Sequence, residues 1–377
     1  MDRFTSRPLP DRTSLNHDSF CLTPQGRSRY PRTRLFSIIQ VTADIPADAA
    51  SAPEIKASEK WAYVPPAAGN LTPPEMAFTL PGDIDRHLPN PFHYVDYHPL
   101  RFADPAGGVA FVTEAPAKNS KNSQTFFLKK FDLKAQRVAG TWVDPTVSHV
   151  VDVSLDGKRA VLLGQSESGK TMHGQDRIQI LDVSVDPPRV IVAAIPYGME
   201  DKGKRDIDFA ALVDDDHLLT KNNDLRIVLW NLPEMKPVYS HHMVDPICRE
   251  ITLSPNRRFF VTEENDPKAP TVSTQITFFD TLTGEGRGAI PFYVPADPWH
   301  SYLVDHAFSA NGKLLLHRHA GGITLFTVDG PQPSKILDVG KPMGIKDEAI
   351  GHVLFAGPGY LLINDRYLFD IEKQFIV

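Results

Sequence analysis

Cysteine is almost absent: Cys21 and Cys248 are the two in 377 residues, too few for a disulfide framework. No apolar run approaches the ~18 residues that span a bilayer as a helix, so no membrane span is expected. Neither sign of charge dominates. A net charge of −6 advertises no surface for nucleic acid or acidic lipid. Proline is abundant instead, at 33 residues, well above the usual ~5%. So much proline excludes a long helical bundle. Apolar residues make up 41% of the chain, an ordinary globular share that suffices for a large core.

Residues 1–54 read differently from the rest. Positions 1–34 hold seven arginines against Asp2, Asp11 and Asp18, with much Ser, Thr and Pro and no hydrophobic period. Such a stretch buries too little apolar area to offset its ordering entropy, so 1–54 is expected to be a disordered or targeting tail. The basic run 27–34, the apolar run 35–41 and the alanine-rich 47–52 imitate the order of an export signal. The apolar part is short, is broken by Ser37 and Gln40, and begins far from Met1. A cytoplasmic protein with a basic tail is therefore favoured, with export the alternative. Residues 55–91 form a lead-in segment.

From residue 92 onward a repeat emerges. An apolar strand ends in an aromatic or Leu, usually followed by Asp or Asn: Phe131-Asp132, Leu181-Asp182, Trp230-Asn231, Phe279-Asp280, Phe326-Thr327 and Phe369-Asp370. The copies recur every 40–50 residues or so, the spacing of four-stranded propeller blades. Upstream of each lies a strand–turn–strand element, as in 149–163, 250–261, 305–316 and 352–363. Asp156-Gly157 and Asn311-Gly312 supply residues that tolerate positive φ in tight hairpins. Each unit has room for strands a to d. The expected fold is all-β, a β-propeller over 92–377 with six copies: 92–143, 148–197, 206–246, 247–293, 303–340 and 349–377. Seven blades are the alternative. The chain ends at 375–377, where the last outer strand should begin. Residues 61–64 or 76–80 are therefore candidates to close the ring or to start a seventh blade.

The Ser-x-Asp-Gly-Lys turn at 154–158, its relatives at 254–258 and 309–313, and the aromatic-Asp strand ends resemble those of bacterial WD40-like (YVTN-type) propellers. The resemblance covers about 92–377 and implies a scaffold or interaction role. It departs from strict WD40 repeats: no copy carries Trp-Asp, and Gly-His occurs only at Gly351-His352.

Three chemical motifs compete with plainer accounts. Gly164-Gln-Ser-Glu-Ser-Gly-Lys170-Thr171 fits the phosphate-loop pattern, yet that loop must open a helix. Only 172–177 intervene before the strand beginning at Ile178, so a polar b–c hairpin is expected instead. His241-His242 and His317-Arg318-His319 are the tightest histidine pairs, with His93, His149, His306 and His352 near inner-strand starts. Counted from the turns, these four do not form one ring, so structural histidines and no metal are expected. The strand-end aspartates are expected to bond nearby backbone. No nucleophile elbow or paired-cysteine motif appears, and no catalytic residue or cofactor is assigned.

The expected function is therefore that of a non-catalytic scaffold, by motif content an interaction module and not an enzyme, that binds a protein or peptide partner as a monomer. In a four-stranded blade the b–c and d–a connections share one end of the ring. Here they are long and uneven, at 115–123, 165–176, 264–273, 196–205 and 293–302, whereas the a–b turns are minimal. Long loops on a rigid scaffold concentrate binding residues. Lys170, Tyr197, Trp299, His300 and Tyr302 are the candidate contacts, being of the types that interface centres favour. A propeller enzyme, hydrolase or lyase, with a site at the channel mouth is the alternative, as is an exported structural propeller.

Overall fold

Short β-branched and aromatic runs punctuated by Ser-x-Asp or Ser-x-Asn turns form antiparallel strands throughout the chain. The computed structural model describes residues 37–38, 43–58, 60–65, 100–103, 109–114, 126–132, 135, 137–144, 149–164, 175–244, 251–265, 274–292, 305–319, 322–340, 353–357, 359–364 and 367–377. Residues 37–377 constitute one compact unit. Two short strands come first, β1 (Ser37–Ile38) and β2 (Ile45–Pro46).

Six sheets follow. Blade 1 is β3 (Leu100–Ala103), β4 (Val109–Glu114), β5 (Phe126–Asp132) and β6 (Arg137–Asp144). Blade 2 is β7 (His149–Val153), β8 (Arg159–Gly164), β9 (Arg177–Asp182) and β10 (Arg189–Ile195). Blade 3 is β11 (Ile207–Leu212), β12 (His217–Asn222), β13 (Arg226–Asn231) and β14 (Lys236–His242). Blade 4 is β15 (Thr252–Leu253), β16 (Phe259–Asn265), β17 (Thr274–Asp280) and β18 (Gly286–Phe292). Blade 5 is β19 (Asp305–Phe308), β20 (Leu314–His319), β21 (Gly322–Thr327) and β22 (Ser334–Val339). Blade 6 is β23 (Val353–Phe355), β24 (Tyr360–Ile363), β25 (Tyr367–Asp370) and β26 (Phe375–Ile376). Each blade is an antiparallel meander, and the six coincide with the six sequence copies. The fold is an all-β, six-bladed propeller. Among the described residues there is no α-helix, and none therefore is long and apolar enough to cross a membrane.

The core lies in the seams between blades. Middle strands are covered on both faces by neighbouring sheets, so they read as unbroken apolar runs such as 160–163 and 227–230. Five apolar clusters link blades 1–2, 2–3, 3–4, 4–5 and 5–6. Aromatic side chains near the outer strands add directional bonds to the next blade. Trp142 Nε1 donates to Asp186 Oδ1 (3.0 Å), and Tyr239 Oη donates to the carbonyl of Thr281 (2.6 Å).

The a–b turns share one device. Ser154, Ser254 and Ser309 each donate through Oγ to the Asp or Asn two residues on, and each accepts a backbone N–H from the start of strand b. The strand-end aspartates cap the c–d turns, as expected. Asp132, Asp182, Asp280 and Asp370 accept the amides of Ala135, Ser184, Leu282 and Thr283, and Lys373 respectively.

The N-terminal segment behaves differently from the expectation. Described residues between 37 and 54, within the expected tail, belong to a strap that follows the rim of the ring. β1 pairs parallel with β6 of blade 1, and β2 pairs parallel with β10 of blade 2. Glu54 bridges Ser240 on β14 of blade 3 in the same sense. Ala62 N–H donates to Arg287 of blade 4 (2.8 Å). Tyr63 then reaches blade 5, donating to the carbonyl of Gly312 (2.7 Å) and packing on Phe259, Phe278 and Phe308. Residues 61–64 thus lie against blades 4 and 5 and do not close blade 6, whose outer strand is its own β26. Residues 76–80 lie outside the described residues. The strap needs bare backbone beneath it. A Cβ on Gly286 would stand 2.2 Å from the Ser58 amide nitrogen, and one on Gly288, at φ +108°, would stand 2.8 Å from Trp61 Cα.

Candidate functional site

The d–a connection between blades 2 and 3 is the one candidate loop that is fully described. Tyr197 is its anchor and is fully buried. Its ring meets Trp230 edge-to-face at 6.2 Å, and its hydroxyl bonds Thr220 Oγ1 (2.8 Å) and donates to the Arg226 carbonyl (3.1 Å). Burial raises the phenol's pKa, so it stays protonated. The sequence reading had Tyr197 as a surface contact; the structure corrects this, because a ring packed in the seam offers nothing to a partner. The rest of the loop is pinned to blade 3. Asn222 and Asn223 donate to the carbonyls of Lys204 and Gly203, Lys204 pairs with Asp224 (3.1 Å), and Arg205 donates to Glu200 (2.6 Å). The loop presents Met199, 75% exposed, which the sequence reading passed over. Lys170, Trp299, His300 and Tyr302 lie outside the described residues.

The phosphate-loop match is flanked by antiparallel strands. β8 and β9 pair from Arg159↔Asp182 to Gly164↔Arg177, the arrangement of a hairpin and not of a strand–helix crossover.

The histidines hold the larger departure from expectation. β16 extends through Asn265, so Glu264 belongs to a strand and not to the b–c loop where the sequence reading placed it. Strand alternation then sends two successive carboxylates to opposite seams. Phe260 and Glu264 face blade 3, while Val261 and Glu263 face blade 5. In the blade 3–4 seam, His241 Nε2 lies 2.5 Å from Glu264 Oε1, which also accepts from Thr262 Oγ1 (2.9 Å). Glu54 of the strap lies 3.8 Å from His241 Nδ1.

In the blade 4–5 seam, Glu263 meets His306 and His317. The two histidines are opposed across β19 and β20 in register. Their rings stack at 5.1 Å, with His317 Nδ1 3.1 Å from His306 Nε2. Glu263 Oε2 is 3.8 Å from His306 Nε2. All three residues are buried, Glu263 completely. Burial holds His306 down at about 3, helped by the charge of Arg318, and burial likewise pushes His317 well below the ordinary histidine value. Both imidazoles are therefore neutral. His319 stacks on His317 at 5.4 Å, with Nε2 3.2 Å from Thr324 Oγ1. The sequence reading noticed His306, His317 and His319 but missed Glu263. The available signal was the pair Glu263-Glu264 continuing an apolar strand.

No family model matches the chain, and no curated protein matches it in sequence. Among solved structures it is similar to "Kuenenia stuttgartiensis Hydrazine Synthase", with 15% identity over 73% of this chain and 76% of that one, at a TM-score of 0.47.

Proposed function

We propose that this propeller is a non-catalytic scaffold of the WD40-like type. It binds a protein or peptide partner across the end of the ring from which the b–c and d–a connections emerge. The observation that carries this reading is the contrast between the two ends. The a–b turns are closed hairpins whose Ser and Asp or Asn side chains bond one another and the start of strand b. The 196–206 connection at the opposite end is instead held rigid by buried Tyr197 and leaves Met199 exposed. A rigid platform with an exposed apolar tip lowers the ordering cost of binding. Trp299, His300, Tyr302 and Lys170, outside the described residues, fall by sequence in the b–c and d–a connections that this reading uses. The burial of both histidine–glutamate clusters also speaks for the non-catalytic reading, since neither presents its groups to solvent.

The test immobilises the full chain and compares the partners captured by wild type, Met199→Glu, Trp299→Ala and Lys313→Ala, the last at the opposite end. The loop variants should lose capture by tenfold or more while melting like wild type, and Lys313→Ala should behave as wild type. Equal capture by folded Met199→Glu and Trp299→Ala would place the binding face elsewhere.

A further inference from the structure

We propose that Glu263, His306 and His317 bind a zinc-type divalent cation that clamps blade 4 to blade 5. Their ligand atoms all lie within 4.8 Å of one another. In a tetrahedral site with ligands about 2.0–2.1 Å from the metal, neighbouring ligand atoms stand roughly 3.3–3.5 Å apart. The observed separations of 3.1 and 3.8 Å bracket that value. The third pair, Glu263 and His317, also lies within 4.8 Å, so side-chain rotation that draws these two together closes the set around an ion.

The donor set suits the ion. Two imidazoles and one carboxylate are the nitrogen–oxygen combination that zinc accepts, and a neutral imidazole has the lone pair that coordination requires. A carboxylate with no exposed surface is costly to bury, and a divalent ion offsets that cost. Arg318, the residue between His317 and His319, is buried nearby and its positive charge works against the cation. The carboxylate of Glu263 counters it. Backbone placement gives the ion a purpose. Glu263 stands two residues before the end of β16 at Asn265, and His306 is the second residue of β19. An ion here would brace β16 of blade 4 against β19 and β20 of blade 5.

The competing account is a neutral His–His hydrogen bond beside a buried glutamate with no ion. The two are separated by loading the chelator-stripped full chain with Zn²⁺ and with Co²⁺. The proposal expects one equivalent of Zn²⁺ to be retained through gel filtration and a raised melting temperature. It also expects visible ligand-field bands with Co²⁺, whose intensity reports nitrogen–oxygen ligation of low symmetry. Glu263→Gln and His317→Gln should each weaken Zn²⁺ binding by at least tenfold, while His217→Ala, a histidine paired to Asp214 outside the seam, should not. Stoichiometric binding that survives both folded variants would overturn the site. If the variants do not fold, the wild-type Co²⁺ spectrum decides alone: absence of those bands overturns the proposal, and their presence supports it.

Discussion

Arg257, in the a–b turn of blade 4, holds Asp152 of blade 2 in a bidentate pair, Nη1 to Oδ2 at 2.6 Å and Nη2 to Oδ1 at 2.9 Å. The same guanidinium donates to the carbonyls of Val153 and of Leu212, the last residue of the inner strand of blade 3. One side chain therefore ties three blades together. It does so from a backbone at φ +60°, the position where the equivalent turns carry Gly157 and Gly312. Arginine in that left-handed region costs roughly 1 kcal/mol relative to glycine, a cost that the bonds offset.

Burial raises the Asp152 carboxyl even though Arg257 and two backbone bonds oppose the shift. Desolvation of the carboxylate thus outweighs the attractions that oppose it. Asp152→Ala, which strands a buried guanidinium, should destabilise the fold by about 3–5 kcal/mol. Asp152→Asn combined with Arg257→Gly removes both charges, keeps an acceptor for the Leu212 amide and restores glycine to the turn. Urea denaturation should show the double variant recovering more than half of that loss. A double variant no more stable than Asp152→Ala would refute this account.

The strap predicts a clean backbone phenotype. Gly286→Val places side-chain atoms where the Ser58 backbone runs, so the strap around Ser58 must lift from blade 4. Limited proteolysis should then cut within 43–65 much sooner than in wild type. Tyr63→Ala, which removes a buried ring and its bond to Gly312, should cost about 3 kcal/mol. Cleavage and melting equal to wild type would show the strap to be dispensable.

Tyr197→Phe tests the corrected role of that residue. Losing the hydroxyl leaves Thr220 Oγ1 with its bond from Trp230 Nε1 and removes the donor to the Arg226 carbonyl, which should cost about 0.5–1.5 kcal/mol. Partner capture should be unchanged, because the ring never reaches the surface. Capture lost with stability retained would return Tyr197 to the interface.

Acid should loosen the turns. At Asp156, partial burial would raise the carboxyl, but the Ser154 hydroxyl and the amide and ammonium of Lys158 outweigh it and hold it at about 2. The Ser184 hydroxyl lowers Asp182, and the Lys373 amide lowers Asp370. A lowered carboxylate contributes fully above its unfolded value, about 3.9, and loses that contribution as pH falls through the folded one. Melting temperature should therefore drop across pH 4 to 2, and less steeply in the triple variant Asp156→Asn, Asp182→Asn, Asp370→Asn. Parallel slopes would exclude these turns as the acid-sensitive elements.

The blades were legible in the sequence because their determinants are local. A strand-end aspartate bonds an amide two or three residues away, and a turn serine bonds the start of the next strand, so each leaves a mark at a fixed offset that repeats with every blade. The strap was not legible. Its partners are outer strands up to some two hundred residues distant, and parallel pairing to a rim demands no particular side chains from residues 37–54. Its one trace is Gly284-Glu-Gly286-Arg-Gly288, and those glycines have meaning only once a second backbone is known to lie over them. The same holds for the seams. Alternation along β16 dictates that Glu263 and Glu264 face opposite ways, but which histidine each one meets depends on how neighbouring blades are rotated against one another. Tyr197 marks the limit most sharply: an aromatic in a long connection reads as a contact, and only packing between blades 2 and 3 makes it an anchor. The chain's own order specified six sheets and their turns; the packing of blade against blade decided which charges are buried and which groups meet.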